Sequence, residues 1–563
     1  MVRKLRSLDW FDSREYYSFA RRSTLRAQGL TRSATEGKPV IGICNTASDL
    51  NPCNRHLTQV SEAVKRGVWA AGGFPCEFPV ISLGEMFLKP SAMLYRNLMS
   101  MDVEEMIRAN PLDAVVLLGG CDKTIPALLM GAASANVPAI VVPGGPMLSG
   151  TFRGKTLGSG TDGRKHFDLY RSGKLNDEDM QELECSIARS SGSCMVMGTA
   201  SSMALVTEAL GMSLPGAAAW PAVDARRYAI AEQSGTRAVA MATNGPSPRE
   251  VMTRQAFHNA ITALMAAGAS TNAVVHLLAI AGRLGIPLSL DDFENISARS
   301  PLLLDLKPHG QYLMEDFAYA GGAETLLQNL LPLLEGDTLT VSGTTLREQL
   351  ATHHAHEQTV IRSIPDALDS DGGIKVLRGN LSPNGALIKT SAASEHLLVS
   401  RGRAIVFESK DEMLEKVNDE SFHVEPDNVL VLRNAGPHGG PGFPEWGQIP
   451  LPKSLMLRGI SDVVRISDAR MSGTSYGTVV LHISPEAAIG GPLGAVQNGD
   501  WIELNVPNRT IQLDLAPEAI EARLAALPAR KPHYDRGYGS LFLKHVEQAH
   551  LGCDFDFLKF KDQ

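Results

Sequence analysis

A chain of 563 residues, 44% hydrophobic and 20% charged, has the make-up of a soluble globular protein and is too long for one small core. Its formal charge of -8 provides no basic surface for a row of phosphates, which argues against a nucleic-acid partner. Seven cysteines, odd in number and sparse, with no signal peptide, argue against a disulfide framework and for reduced thiols in a cytoplasmic protein.

The first thirty residues carry many arginines, among them Arg21, Arg22 and Arg26. Asp9, Asp12 and Glu15 interrupt the pattern of a transit peptide, and the segment reads as an amphipathic surface helix. From Lys38 to about Leu288, short β-branched runs alternate with Ala-rich helical stretches; Pro39–Ile43, Asp113–Leu118 and Ala139–Val142 are examples. This alternation predicts parallel βα units, with ligands gathered at the carboxyl ends of the strands. Cys121-Asp122-Lys123 follows directly on one such run and precedes the helix-like Pro126–Leu129, so the triplet belongs on that functional edge. The apolar stretch Ala127–Val142 is broken by Asn136 and Pro138 well short of the ~20 residues a membrane span requires, and no membrane association is expected.

Polar and glycine content rises at Asp369–Gly373, after which short strands with glycine-rich turns replace long helices. The expected division is an α/β domain with a parallel sheet over residues 1–375 and a β-rich, barrel-like domain with a few helices over 376–563. Strand-like runs in the second part are Val429–Leu432, Val463–Ile466 and Trp501–Val506.

Three cysteines stand in irregular contexts rich in small residues, proline or glycine: Cys53, Cys121 and Cys194. Thiolates are the usual ligands of iron–sulfur clusters, and small neighbours let backbone approach a bulky group. A buried cysteine taken alone is more simply a small hydrophobe, and Cys76, Cys185 and Cys553 fit that reading. Cys44 stands nine positions before Cys53 in what reads as the same polar loop, and spacing alone does not choose between them. No Cys-x-x-Cys pair occurs, which removes support for a zinc ribbon or a thioredoxin-like site.

Several long motifs, in order and nearly end to end, resemble the dihydroxy-acid dehydratase and 6-phosphogluconate dehydratase family, which includes the pentonate dehydratases. They are Cys44–Thr46 through Pro52–Asn54, Gly120–Thr124, Ser191–Met195, Gly268–Asn272, Gly439–Glu445 and Asp468–Gly473. The resemblance implies Cys53, Cys121 and Cys194 as ligands of an iron–sulfur cluster, [2Fe-2S] by likeness to the sugar-acid branch with [4Fe-4S] as the alternative. It further implies Glu85, Asp122 and Glu445 as ligands of Mg2+, joined by Lys123 as a carbamylated side chain in some members, and Ser472 as the catalytic base.

On the residues alone, Lys123 could equally be a helix-start lysine or the ion-pair partner of Asp122. Glu85 and Glu445 could be surface carboxylates, and Ser472 a helix cap. The implied reaction is elimination of water from a small hydroxy acid in a cleft between the two domains of a homodimer or homotetramer. Ile81–Met86 and Pro126–Met130 look more like the pentonate enzymes than the branched-chain ones. A pentonate such as L-arabinonate is therefore the favoured substrate, with 2,3-dihydroxyisovalerate second. 6-Phosphogluconate comes third, since no glycine-rich phosphate cradle is found. An iron–sulfur electron-transfer or sensing protein is the distant alternative.

Overall fold

In the computed structural model, which describes residues 3–11, 13–528 and 530–560, the run after Lys38 forms β1 (Val40–Asn45). With β2 (Phe74–Pro79), β3 (Ala114–Gly119) and β4 (Ala139–Pro143) it builds a parallel sheet of order β2-β1-β3-β4. β1, β3 and β4 are buried at every position, so their sequences are continuous apolar runs rather than alternating ones. β2 lies at the edge, where Pro75 is tolerated.

The strand–helix alternation expected as far as Leu288 stops at β4. Beyond it come a hairpin, β5 (Gly150–Phe152) and β6 (Lys155–Leu157), and then no further strand among the described residues until Lys375. The intervening segments are rich in alanine and leucine, which favour helix. Arg254–Ala266 and Asn272–Leu284 are helices buried almost all round. The arginine-rich start is also more broken than expected: Leu8–Phe11, Tyr16–Ala27 and Arg32–Thr35 are separate helices. Asp12 lies outside the described residues.

The second unit is a closed barrel of β7 (Lys375–Gly379), β8 (Ser382–Ile388), β9 (Val399–Phe407), β10 (Val429–Leu432), β11 (Val464–Ser467), β12 (Val479–Ser484), β13 (Trp501–Asn505) and β14 (Thr510–Leu513). Around the ring the order is β10-β11-β12-β8-β7-β14-β13-β9, and the run from β9 through β10 and β11 to β12 is parallel. Period-two alternation lets the β7–β8 hairpin serve two cores. Leu377, Ala386 and Ile388 pack inside the barrel, whereas Val376 and Leu387 join the core of the first unit.

A late stretch of chain also ties the units together. Arg96 donates through Nη2 to the carbonyls of Gly552 and Cys553, both at 2.9 Å, and Arg283 pairs with Asp554 at 2.5 Å, with both side chains wholly buried. No helix among the described residues is long and apolar enough to cross a membrane.

Candidate active site

The expected site residues come from the carboxyl ends of strands in both units. Cys53 lies in the turns after β1 and Glu85 in the loop after β2, while Cys121, Asp122 and Lys123 join β3 to the helix Thr124–Ala135. Cys194 lies on the loop between the helices Asp177–Ile187 and Thr199–Ala209, where a bridge between Ser193 and Pro146 sets it against the loop that leaves β4. Glu445 follows β10, and Ser472 lies between β11 and β12.

Lys123 is where these elements meet. Its ammonium stands 2.6 Å from Asp122, 3.6 Å from Glu85 and 3.6 Å from Glu445, and its side chain is fully buried. Burial and the neighbouring Arg470 work against that charge, but the three carboxylates outweigh them and hold the lysine proton on more firmly than usual. For Glu85, burial raises the carboxyl above its ordinary range, opposed by Lys123 and reinforced by Glu445 and Asp122. Burial would also raise Asp122, yet the charge and hydrogen bond of Lys123 prevail and bring it down.

A second buried cation braces the group. Arg470 donates to Glu445 Oε1 at 2.9 Å, to the Phe443 carbonyl at 2.7 Å and to Ser91 Oγ at 3.1 Å. Ser91 in turn donates to Glu85 at 3.1 Å. The loop that carries Glu445 can pass this closely because Gly442, at φ +79°, has no side chain; a Cβ there would lie 2.4 Å from Leu94 Cβ.

The thiols form a neighbouring group. Hydrogen bonding with the Cys53 thiol, followed by burial, raises Cys121 well above its usual value. Cys194 is pushed up to about 11 by burial first and by Cys53 next. Cys44 does not share the Cys53 loop as expected. It lies within β1, wholly buried, because the strand runs two residues past the apolar run Pro39–Ile43. Cys76 lies on β2, Cys185 is exposed on the helix Asp177–Ile187, and Cys553 is buried far along the chain.

Ser472 caps no helix: the chain continues through a turn into β12. Its hydroxyl is 3.0 Å from Thr474 Oγ1, and Thr161 donates to the Thr474 carbonyl at 2.7 Å. Asn272 connects this loop to the carboxylates, its Nδ2 standing 3.0 Å from Glu445 Oε1, from the Met471 carbonyl and from Thr199 Oγ1. Gly473 makes the approach possible, since a Cβ there would meet Thr199 N at 2.6 Å and Ser270 Cβ at 2.8 Å. Three helices, Thr124–Ala135, Thr199–Ala209 and Asn272–Leu284, therefore begin at the site. Their amino ends carry partial positive charge that favours anions.

Arg470, Asn272, Ser91 and Thr199 were given no role by the sequence reading. Arg470 and Asn272 fall inside the motifs Asp468–Gly473 and Gly268–Asn272, where a large polar side chain among small residues is the signal that could have marked them.

Among the described residues, no three His, Cys, Asp or Glu side chains are already spaced as ligands of one metal ion. The carboxylates are held apart by the Lys123 ammonium, which stands at the point they share. The donor chemistry suits the expected groups nonetheless. Three partly buried carboxylates that share a cation are hard oxygen donors of the kind magnesium takes, provided the lysine charge is displaced or converted. Neighbouring thiols on three separate loops suit an iron–sulfur cluster.

A model described as dihydroxy-acid/6-phosphogluconate dehydratase N-terminal matches residues 38–349, and its C-terminal counterpart matches residues 359–553. The chain is 51% identical to L-arabinonate dehydratase of Rhizobium leguminosarum bv. trifolii, over 99% of this chain and 96% of that protein. It is 51% identical to L-arabonate dehydratase of Azospirillum brasilense, over 99% and 97%. Against dihydroxy-acid dehydratase of Sulfurisphaera tokodaii the identity is 37%, over 96% and 97%.

Proposed function

Because the chain belongs to the dihydroxy-acid/6-phosphogluconate dehydratase family, and is accordingly a hydro-lyase, we propose that it converts a pentonate such as L-arabinonate to the 2-keto-3-deoxy acid. The observation that carries this reading is the 51% identity, along almost the whole chain, to two enzymes of that name, against 37% to a dihydroxy-acid dehydratase.

In this reading, residues 1–375 supply Cys53, Cys121 and Cys194 to a [2Fe-2S] cluster, and Glu85, Asp122 and Lys123 to Mg2+. Residues 376–563 supply Glu445 and the catalytic Ser472. When bound, the cluster and the magnesium would contribute Lewis acidity, toward the departing C3 hydroxyl and toward the carboxylate end of the acid respectively. The chain's own groups do the rest. Ser472 takes the C2 proton, with Thr474 holding its hydroxyl. A serine is a weak base unless a positive field favours the alkoxide, and the three helix amino ends with Arg470 are sources of such a field. Asn272 keeps the Ser472 loop in register with Glu445. The enol left by elimination then tautomerises to the 2-keto acid. A small soluble substrate and reduced thiols fit a cytoplasmic homo-oligomer.

The test is an anaerobic 2-keto acid assay of the metal-replete protein with L-arabinonate, D-xylonate, D-gluconate and 2,3-dihydroxyisovalerate at equal concentration. Fastest turnover of a pentonate is expected. Preference for dihydroxyisovalerate would transfer the same chemistry to branched-chain amino-acid synthesis.

A further inference from the structure

Between β6 and the helix Thr161–Arg171 the chain runs through Gly158-Ser159-Gly160, against the loop that carries Cys194. Neither glycine has room for a side chain. A Cβ at Gly158 would lie 2.4 Å from Val196 Cγ1, and one at Gly160, where φ is +79°, would lie 2.4 Å from Thr474 Oγ1. Ser159 therefore supplies the one side chain this passage admits. Its backbone is pinned on both sides: the Ser159 N–H donates to Met195 Sδ at 2.8 Å, the Gly158 N–H to Asp162 Oδ2 at 2.7 Å, and Lys307 closes on that same oxygen at 2.6 Å. At the far end Thr161 holds the Thr474 carbonyl, so one short segment touches both the Cys194 loop and the Ser472 loop.

Held this way, the Ser159 hydroxyl oxygen is buried with no partner in hydrogen-bonding geometry among the described residues, a state that costs free energy unless something else satisfies it. The group beside it is the Cys194 thiol. Burial and Cys53 push that thiol up, whereas hydrogen bonding from the Ser159 hydroxyl pulls it down. A neutral thiol is a weak acceptor, but a thiolate takes a charge-assisted hydrogen bond, so the hydroxyl gains its missing partner only when the sulfur is ionised. We infer that Ser159 is a positioning residue for the iron–sulfur site: its O–H donates to the sulfur of Cys194 once that sulfur is a thiolate ligand, and thereby sets how readily the cluster takes up charge. The inference rests on the proposed function, which makes Cys194 a ligand. Cys121 receives a donor of its own from the Glu85 backbone, which no substitution removes. The Ser159 contact is made by a side chain and is therefore the adjustable one. Charge drawn from a ligand sulfur leaves the metal a stronger Lewis acid, the property the elimination uses.

The experiment measures iron content and the midpoint potential of the cluster, by anaerobic titration followed by electron paramagnetic resonance, in the metal-replete wild type, Ser159→Ala, Ser159→Thr and Thr161→Val. A hydrogen bond to a cluster sulfur favours the reduced form, which carries the extra negative charge. Ser159→Ala should therefore keep its iron and shift the reduction equilibrium about tenfold toward the oxidised form, and Ser159→Thr, which keeps the hydroxyl, should recover most of that shift. Thr161→Val loosens the same segment at its other end without touching a thiol, and should leave the potential where it is. An unmoved potential in Ser159→Ala, or an equal shift in Thr161→Val, would overturn the inference. If Ser159→Ala loses its iron, Ser159→Thr decides: a parent-like potential upholds the hydroxyl's role, and loss of iron from both variants overturns it. Potentials are read without substrate, so the result does not depend on which acid is turned over. A wild type with no iron–sulfur signal would sink the ligand reading itself, whereas a cluster whose potential ignores Ser159 sinks the inference alone.

Discussion

Arg470 and Glu445 form a buried ion pair: the guanidinium stands 2.9 Å from the carboxylate, and the arginine side chain has no exposure to solvent. The same guanidinium bonds the Phe443 carbonyl and Ser91, so one side chain fixes the Glu445 loop and, through Ser91, the Glu85 loop.

Replacing Arg470 with methionine removes a partner from buried carboxylates, a change that costs on the order of 3–5 kcal/mol. Calorimetry should show a melting temperature lower by several degrees and a weaker apparent affinity for magnesium. Arg470→Lys keeps the charge but cannot span all three contacts, so it should recover part of the stability and little of the activity. An unchanged melting temperature in the methionine variant would refute the bracing role.

Asn272→Ala cuts the link between Glu445 and the backbone before Ser472. Displacements of about 1 Å in a reacting constellation can cost ~100-fold in rate. The variant should lose roughly that factor in kcat while its visible absorbance stays that of the parent protein. If kcat holds, the amide is not what aligns the two loops.

Ser472→Ala removes the proposed base without touching a thiol or a carboxylate. Activity should drop by about 10²–10⁴, the usual weight of a positioned acid–base group, with iron content and magnesium affinity preserved. Near-normal turnover would assign the C2 proton to another group.

Lys389 offers a prediction away from the site. It follows β8, is 1% exposed, and its ammonium has no hydrogen-bond partner among the described residues. Burial alone pushes its pKa down to about 7. Between that value and the ordinary lysine range near 10.5, the unfolded chain binds a proton that the folded one does not. Stability should therefore rise with pH across this window, by at most roughly 1.4 kcal/mol per unit, and the contribution should be constant below it. Lys389→Met should be more stable than the parent near neutral pH and should lose this slope. Parallel stability profiles for the two proteins between pH 7 and 10 would disprove it.

The parallel sheet was legible because β1, β3 and β4 are buried on both faces and must be apolar throughout, a pattern local in sequence. The point where the strands stop was not. The helices Arg254–Ala266 and Asn272–Leu284 are as apolar as the strands, and only their packing shows that they form a further layer. The position of Cys44 was misread for a similar reason, since Cys44-Asn45 looks polar from outside and yet completes β1. At the site, the motifs brought Glu85, Asp122, Lys123 and Glu445 into view. The bracing by Arg470 and Asn272 depends on side chains that meet across 173 and 379 positions of sequence, which no periodicity records.

The clasp made by Gly552, Cys553 and Asp554 sets a schedule for biosynthesis. Arg283 waits for Asp554, which lies 271 positions further along the chain. At roughly 5–20 residues per second of translation, that is a delay on the order of tens of seconds. During it, the guanidinium groups of Arg96 and Arg283 lack the Gly552 and Cys553 carbonyls and the Asp554 carboxylate. The larger unit is made first but completed last, and a ribosome stalled before residue 552 would carry a nascent chain in which Arg96 keeps Asn97 and His276, and Arg283 keeps Glu104, Ser100 and Ser134, but neither has its late partner.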